Sequence, residues 1–125
     1  MLREISNVRQ IPGDPPRRWF TDEAMDLYIW LDESDEVIGF QLTYDKPGSE
    51  KALTWKRGDN VMHTRVEEGS RPGKYPGSPI LMIDGVVDVD YVLREFRERA
   101  RDIAWGIVQC VISQISEMSS DEIDS

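Results

Sequence analysis

Short apolar runs separated by turn-forming residues fill positions 26–66 and constrain the fold more than any other feature. The runs are 27–31, 37–44, 51–57 and 61–66. In the second run, Phe40 and Leu42 alternate with Gln41 and Thr43, which is the period of a strand with one buried face. The connections contain typical turn residues: DESDE, Pro47-Gly48 and Gly58-Asp59-Asn60. The sequence therefore predicts an antiparallel meander, with a fifth strand at 80–83.

The C-terminal third carries a helical pattern. Apolar residues recur mostly at steps of three, four or seven, at Val92, Phe96, Ile103, Ile107, Val108, Val111, Ile112 and Ile115. Asp88 or Asp90 is the expected N-cap, because an aspartate there can accept from unpaired first-turn amides. One helix over 89–117 would be ~43 Å long, whereas a domain of this size is only ~30 Å across. The helix therefore either breaks near Gly106 or projects and needs a partner.

Together these patterns predict an α+β fold: an antiparallel β-meander of about five strands with a C-terminal helix or helices packed on one sheet face. A chain of 125 residues suits one domain. We expect that domain to span residues 1–118 and residues 119–125 to form a frayed acidic tail.

Charge and composition favour some partners and settings over others. The net charge of −9 opposes binding to nucleic acid or to an anionic membrane, since both polyanions attract positive potential. The one cysteine, Cys110, does not require an oxidising compartment. The apolar runs are far shorter than the ~20 residues that span a bilayer, and charged residues interrupt the N-terminal stretch where a signal peptide would be apolar. We therefore expect a cytoplasmic protein without membrane contact.

No motif identifies an enzyme. One histidine and one cysteine cannot complete a zinc site of the Cys/His kind. Ser78 lies in the sequence GSP, which differs from a GxSxG nucleophile elbow. The stretch GSRPGKY has three residues between its glycines and lacks the Ser or Thr of a phosphate loop. We predict no catalytic residue and no cofactor.

Two carboxylate clusters raise the question of a metal. The first consists of Asp32, Glu33, Asp35 and Glu36, and the second of Asp84, Asp88 and Asp90. The first could attract a hard cation such as calcium, but it lacks the glycine-containing twelve-residue pattern of a calcium loop. A solvated hairpin tip explains the first cluster better, and turn and helix-cap roles explain the second. We predict no metal site.

A candidate ligand-binding surface emerges when the strands are aligned side by side. If side chains alternate strictly along each strand, Met62 faces the helix. The side chains that face away from the helix are then Val37, Tyr28, Trp30, Gln41, Lys56, His63 and Arg65. We select Trp30, Lys56, His63 and Arg65, because an aromatic ring offers stacking area, cationic groups hold anions, and histidine titrates near neutral pH. A polar, solvated face without any ligand is the alternative, since antiparallel sheets commonly expose one face.

Three stretches resemble a small family of uncharacterised bacterial proteins of unknown function. They are RRWF, GFQLTYDKPGSEKALTW and RPGKYPGSPIL, and the resemblance covers roughly residues 15–100. It implies a bacterial source and a cytosolic setting, and it brings no catalytic motif to transfer.

Two functional hypotheses follow. In the first, the chain is a non-enzymatic binding or interaction module that forms a homodimer through the apolar stripe of its C-terminal helix, which comprises Ile103, Ile107, Val108, Val111, Ile112 and Ile115. In the second, it is a small-ligand binder or an enzyme that holds an anionic ligand on the open sheet face. A third possibility, single-stranded nucleic acid on that face, is disfavoured by the net charge.

Overall fold

The computed structural model describes residues 1–46, 51–65 and 87–123. Within these ranges the elements are β1 (Arg3–Glu4), β2 (Arg17–Thr21), β3 (Asp26–Leu31), β4 (Val37–Tyr44), β5 (Lys51–Lys56), β6 (Met62–Arg65), α1 (Val89–Arg99) and α2 (Trp105–Ile123). The strands form one sheet in the order β1-β2-β3-β4-β5-β6, and every neighbouring pair is antiparallel. This confirms the α+β meander, with six described strands where the sequence predicts about five.

Four of the predicted strands correspond closely to β3, β4, β5 and β6. The fifth predicted strand, at 80–83, lies outside the described residues, as does the turn at Pro47-Gly48. Strands β1 and β2 escaped prediction. In β2, Trp19 and Phe20 point to opposite faces, and Arg18 lies on the helix side, where its side chain pairs with Glu4. Because neither face of β2 is uniformly apolar, the strand shows no clear alternation.

The core lies on one face of the sheet, which we call the helix side. The predicted burial of Phe40, Leu42, Leu53 and Trp55 is confirmed, at 7% exposure or less. Leu27 and Ile29 of β3 join the same cluster. The helices complete it with Val92, Phe96, Val111 and Ile115, each 0% exposed. Burial of each such side chain favours folding by ~1.5–3 kcal/mol.

The C-terminal segment forms two helices, so the alternative of one continuous helix is wrong. Asp88 is the N-cap of α1, as the sequence suggests, and its Oδ1 accepts from the amide of Tyr91 at 3.1 Å. Residues 100–104 form turns between the helices, and α2 then runs for 19 residues, about 28 Å. The break precedes Gly106 and lets α2 return along the sheet. Because α2 ends at Ile123, it includes residues 119–123 of the predicted tail.

Across the described ranges, no helix combines the length and the apolar character that crossing a bilayer requires.

Candidate functional site

The pairing of β6 separates His63 from the candidate residues Trp30 and Lys56. His63 lies opposite Leu53 and therefore belongs to the helix side, while the backbone of Arg65 pairs with Lys51. The expected position of His63 beside Trp30 is therefore wrong. The pairing is centred on Gly58, whose φ is +93°, and a one-residue difference in register moves every side chain of a strand to the other face.

Trp30 and Lys56 remain together on the opposite face, which we call the far side. A cross-strand row on this side runs through Arg17, Trp30, Gly39 and Lys56 on β2, β3, β4 and β5. Lys56 is exposed, but Trp30 is 0% exposed. The Trp30 ring therefore offers no free face for a ligand to stack on. The far side does not present the surface that the sequence suggested.

His63 is a packed residue on the helix side. It is 5% exposed, and its Nε2 lies 2.6 Å from the hydroxyl oxygen of Tyr44. The two rings are stacked, with centroids 5.9 Å apart, and the ring of Tyr91 meets Tyr44 edge-on. Tyr91 donates to Asp45 Oδ1 at 2.8 Å, and this hydrogen bond raises the pKa of Tyr91. The cluster joins β4, β6 and α1, which is a structural role.

Aromatic rings on the far side pack mainly against one another. The rings of Trp19 and Tyr28 are parallel within 3° with centroids 5.6 Å apart, and Tyr28 stacks in turn on Trp30. The guanidinium of Arg17 lies 5.4 Å from the centre of the Tyr28 ring. Ring faces that meet each other are not available to a planar ligand. These three aromatic side chains therefore stabilise the sheet by packing against one another and do not form a surface on which a ligand could stack.

In the acidic segment between β3 and β4, the Asp32 side chain accepts hydrogen bonds from backbone amides of the same turn. Asp32 Oδ1 accepts from the amides of Ser34 at 2.8 Å and Glu36 at 3.0 Å, and the bond from Glu36 is the main cause of the lowered pKa of Asp32. Arg57 pairs with Asp32 and Glu36 at 3.5 and 3.6 Å. In the part of the chain that the structure describes, no group of three His, Cys, Asp or Glu side chains could hold a metal ion.

An open groove of about 640 Å³ lies where the β3–β4 hairpin meets the start of α2, and we call it the α2 groove. Its lining residues are Arg18, Leu31, Asp35, Glu36, Val37, Ala104, Gly106, Ile107 and Cys110. The expected far-side position of Val37 is wrong. An irregularity after Trp30 makes Leu31 pair with Val37, which turns both side chains to the helix side. Burial raises the pKa of the Cys110 thiol in this groove.

Trp105, the first residue of α2, lies beside the α2 groove and is 76% exposed. Val108 and Ile112 follow it at helical spacing on the same side of α2, and both are half-buried. Trp105 was not among the residues predicted from the sequence. The spacing of residues 105, 108 and 112 was a usable signal, but it coincided with the longer apolar stripe that begins at Ile103.

No protein family model, curated protein or solved structure matches this chain. The features that bear on function are the α2 groove, Trp105 and the two sheet faces. The resemblance to a small bacterial family stays a prediction.

Proposed function

We propose that this chain is a non-enzymatic interaction module of a bacterial cytosol that self-associates as a homodimer through α2. The observation that carries the proposal is the 76% exposure of Trp105 next to the α2 groove. Tryptophan is among the residues most enriched at the energetic centres of protein interfaces. A solvent-facing tryptophan beside a partly apolar groove is the composition that such a centre requires.

The structure changes which part of the apolar stripe supports this proposal. Ile103, Ile107, Val111 and Ile115 are at most 7% exposed and belong to the domain's own core. Val108 and Ile112 remain half-buried. The surface available for association is therefore narrower than the sequence suggested, and its main apolar member is Trp105.

A symmetric dimer gains more free energy from burying this surface than a contact that buries Trp105 of only one copy. Burying a tryptophan removes ~150–250 Å² from water, which favours association by at most ~4–6 kcal/mol. The loss of translational and rotational freedom costs ~4–15 kcal/mol. One tryptophan alone barely offsets that cost. A twofold axis buries Trp105 twice for a single loss of freedom.

Light scattering after gel filtration tests this proposal. We expect a mass near twice 14.4 kDa for the native chain at micromolar concentration, and a mass near 14.4 kDa for Trp105→Ala with an unchanged circular dichroism spectrum. Lys56→Ala, on the far side of the sheet, is the matched control and should stay dimeric. A native chain that remains a monomer up to millimolar concentration would exclude self-association as its function.

A small anionic ligand is the second candidate, and one observation favours it. The far-side row carries a cationic side chain at each end, Arg17 on β2 and Lys56 on β5. Three strand spacings separate the row ends by ~14 Å. Phosphate added to labelled protein should shift the amide resonances of Arg17, Gly39 and Lys56, and Lys56→Ala should abolish the shift. Unchanged resonances at millimolar phosphate would exclude this site.

A further inference from the structure

We propose that the α2 groove of each copy receives the Trp105 side chain of a second copy, and that Arg101 of each copy faces Asp35 and Glu36 of the other. This inference rests on the proposed self-association and specifies how the two copies meet. It makes the groove and the tryptophan two halves of one reciprocal contact.

Trp105 and the α2 groove lie at different angles around α2. Successive residues of a helix are rotated by about 100°, so Trp105 lies about 100° from Gly106 and about 140° from Cys110. Gly106 and Cys110 line the groove. Trp105 and the groove therefore occupy two flanks of the solvent-facing side of α2, at nearly the same height along the helix.

Only one orientation of the twofold axis brings Trp105 of each copy to the groove of the other. A twofold axis parallel to α2 exchanges left and right flanks while it preserves height, so Trp105 of each copy faces the groove of the other. A twofold axis perpendicular to α2 within the interface preserves the flanks instead and brings the two Trp105 side chains to the same flank. The first arrangement fills two grooves, whereas the second leaves both empty.

The groove has the size and lining to receive an indole ring. Its volume of about 640 Å³ lies within the range of ~300–1,000 Å³ that holds drug-sized molecules. Leu31, Val37 and Ile107 contribute apolar walls, and Ala104 and Gly106 add little bulk. A Cβ atom placed on Gly106 would meet no atom within 4 Å, so the groove is open beside the helix.

Opposite charges also favour this contact. A chain with a net charge of −9 repels a second copy, and opposite charges that meet in the contact offset part of this repulsion. Asp35 and Glu36 line the groove beside Arg18. Glu36 also pairs with Arg57 at 3.6 Å, but its side chain is 73% exposed and accessible to a second cation. Arg101 is four residues before Trp105, at most ~14 Å of chain, and its side chain is 61% exposed, paired only with Glu98 among the ion pairs of the described residues.

These charges fall inside an interface of ordinary size. A standard interface covers ~800 Å² of each partner, which corresponds to a circle of ~16 Å radius. Centred on Trp105, such a patch includes Arg101, and the same patch must include the groove because Ala104 and Gly106 flank Trp105. A twofold axis through this patch can therefore bring Arg101 of each copy to the acidic side of the other groove.

Isotope-filtered nuclear Overhauser measurements on a mixture of labelled and unlabelled native chains test the insertion directly. We expect intermolecular contacts from the Trp105 indole protons to the methyl groups of Leu31, Val37 and Ile107. A dimer whose only intermolecular Trp105 contacts are to the other Trp105 would overturn this inference while preserving the proposed function. A monomer would overturn both.

Charge reversal tests the ionic part. Arg101→Glu and Glu36→Arg should each raise the dimer Kd by about tenfold or more, because each puts like charges together. The double variant should return to within about twofold of the native Kd if the two residues face each other across the axis. Lys56→Glu makes the same charge change on the far side and is the control. Equal effects of Arg101→Glu and Lys56→Glu would exclude Arg101 from the contact.

Discussion

The two helices follow each other directly in the chain but are attached to the sheet in different ways. Helix α1 is fastened along its whole length: Asp88 caps its first turn, Tyr91 donates to Asp45, and Arg99 at its end pairs with Asp22 at 3.0 Å. The backbone carbonyl of Arg99 also accepts from the amide of Leu2 at 2.8 Å. Helix α2 contributes buried aliphatic residues to the core but begins with a tryptophan that is 76% exposed.

This difference separates a structural helix from one with a free surface. The polar contacts of α1 satisfy its ends within the domain, so its position depends on this chain alone. The first turns of α2 bury Ile107 and Val111 and leave Trp105 outside. We infer that substitutions on α1 should change stability, whereas those on the outer side of α2 should change association.

The largest effect on stability should come from the buried side of α1. Phe96 is 0% exposed, and Phe96→Ala should lower the free energy of unfolding by ~3–5 kcal/mol because the cavity cannot fully collapse. Urea unfolding followed by circular dichroism measures this loss. A loss below ~1 kcal/mol would mean that α1 is not anchored in the core.

A smaller loss is expected where the end of α1 meets the sheet. The Asp22 side chain is 2% exposed and contacts Arg99 and the Met1 amino group, so Asp22→Asn should lower the free energy of unfolding by ~1–3 kcal/mol. Glu23 also reaches Arg99, at 3.2 Å, but is 77% exposed. Glu23→Gln is therefore the matched control and should lower the free energy of unfolding much less than Asp22→Asn does.

Asp22 should also make the free energy of unfolding depend on pH. Burial alone raises the pKa of Asp22, but hydrogen bonds from the amides of Ala24 and Met25 and from Arg99 outweigh it, so the pKa is lowered. A lowered folded-state pKa stabilises the protein above the unfolded value of ~4 and loses that contribution as the pH falls below it. As the pH falls below about 4, the native chain should lose stability more steeply than Asp22→Asn. Parallel curves would contradict this role.

The contact between Tyr91 and Asp45 should contribute less. Tyr91→Phe removes one hydrogen bond to a carboxylate at the surface and should cost ~0.5–1.5 kcal/mol. Tyr28→Phe is the matched control, because the Tyr28 hydroxyl makes no hydrogen bond among the described residues, and it should lower the free energy of unfolding less. If both variants lowered the free energy of unfolding equally, the hydrogen bond from Tyr91 to Asp45 would not help to hold α1 on the sheet.

The smallest effect on monomer stability should come from the outer side of α2. Trp105→Ala, measured at a dilution where the native chain is monomeric, should change the free energy of unfolding by less than ~0.5 kcal/mol. At higher concentration the native chain should gain stability and the variant should not, because association stabilises the folded state by mass action. A large loss at high dilution would mean that Trp105 packs within its own domain.

Local patterns were sufficient for the central strands and the helix start. The alternation in β4 and β5 predicted which residues join the core on the helix side, although Thr43, Ala52 and Thr54 on the far side are buried as well. Asp88, one of the two N-cap candidates, caps α1. The short β1 and the mixed β2 gave no such signal, because Arg18 on the helix side is balanced by Glu4. The candidate site could not be found this way, since Trp105 looks like any other member of an apolar helix.

The sequence by itself determined the fold class, the faces of β3 and β5 and the presence of a C-terminal helical region. These features depend on interactions between residues that are close in the chain, and their period is visible there. The tertiary structure decided the face of His63, the side of Val37 and the exposure of Trp105. Each of these depends on a one-residue register or on which side of a helix meets the sheet, and such choices are made by packing between distant segments.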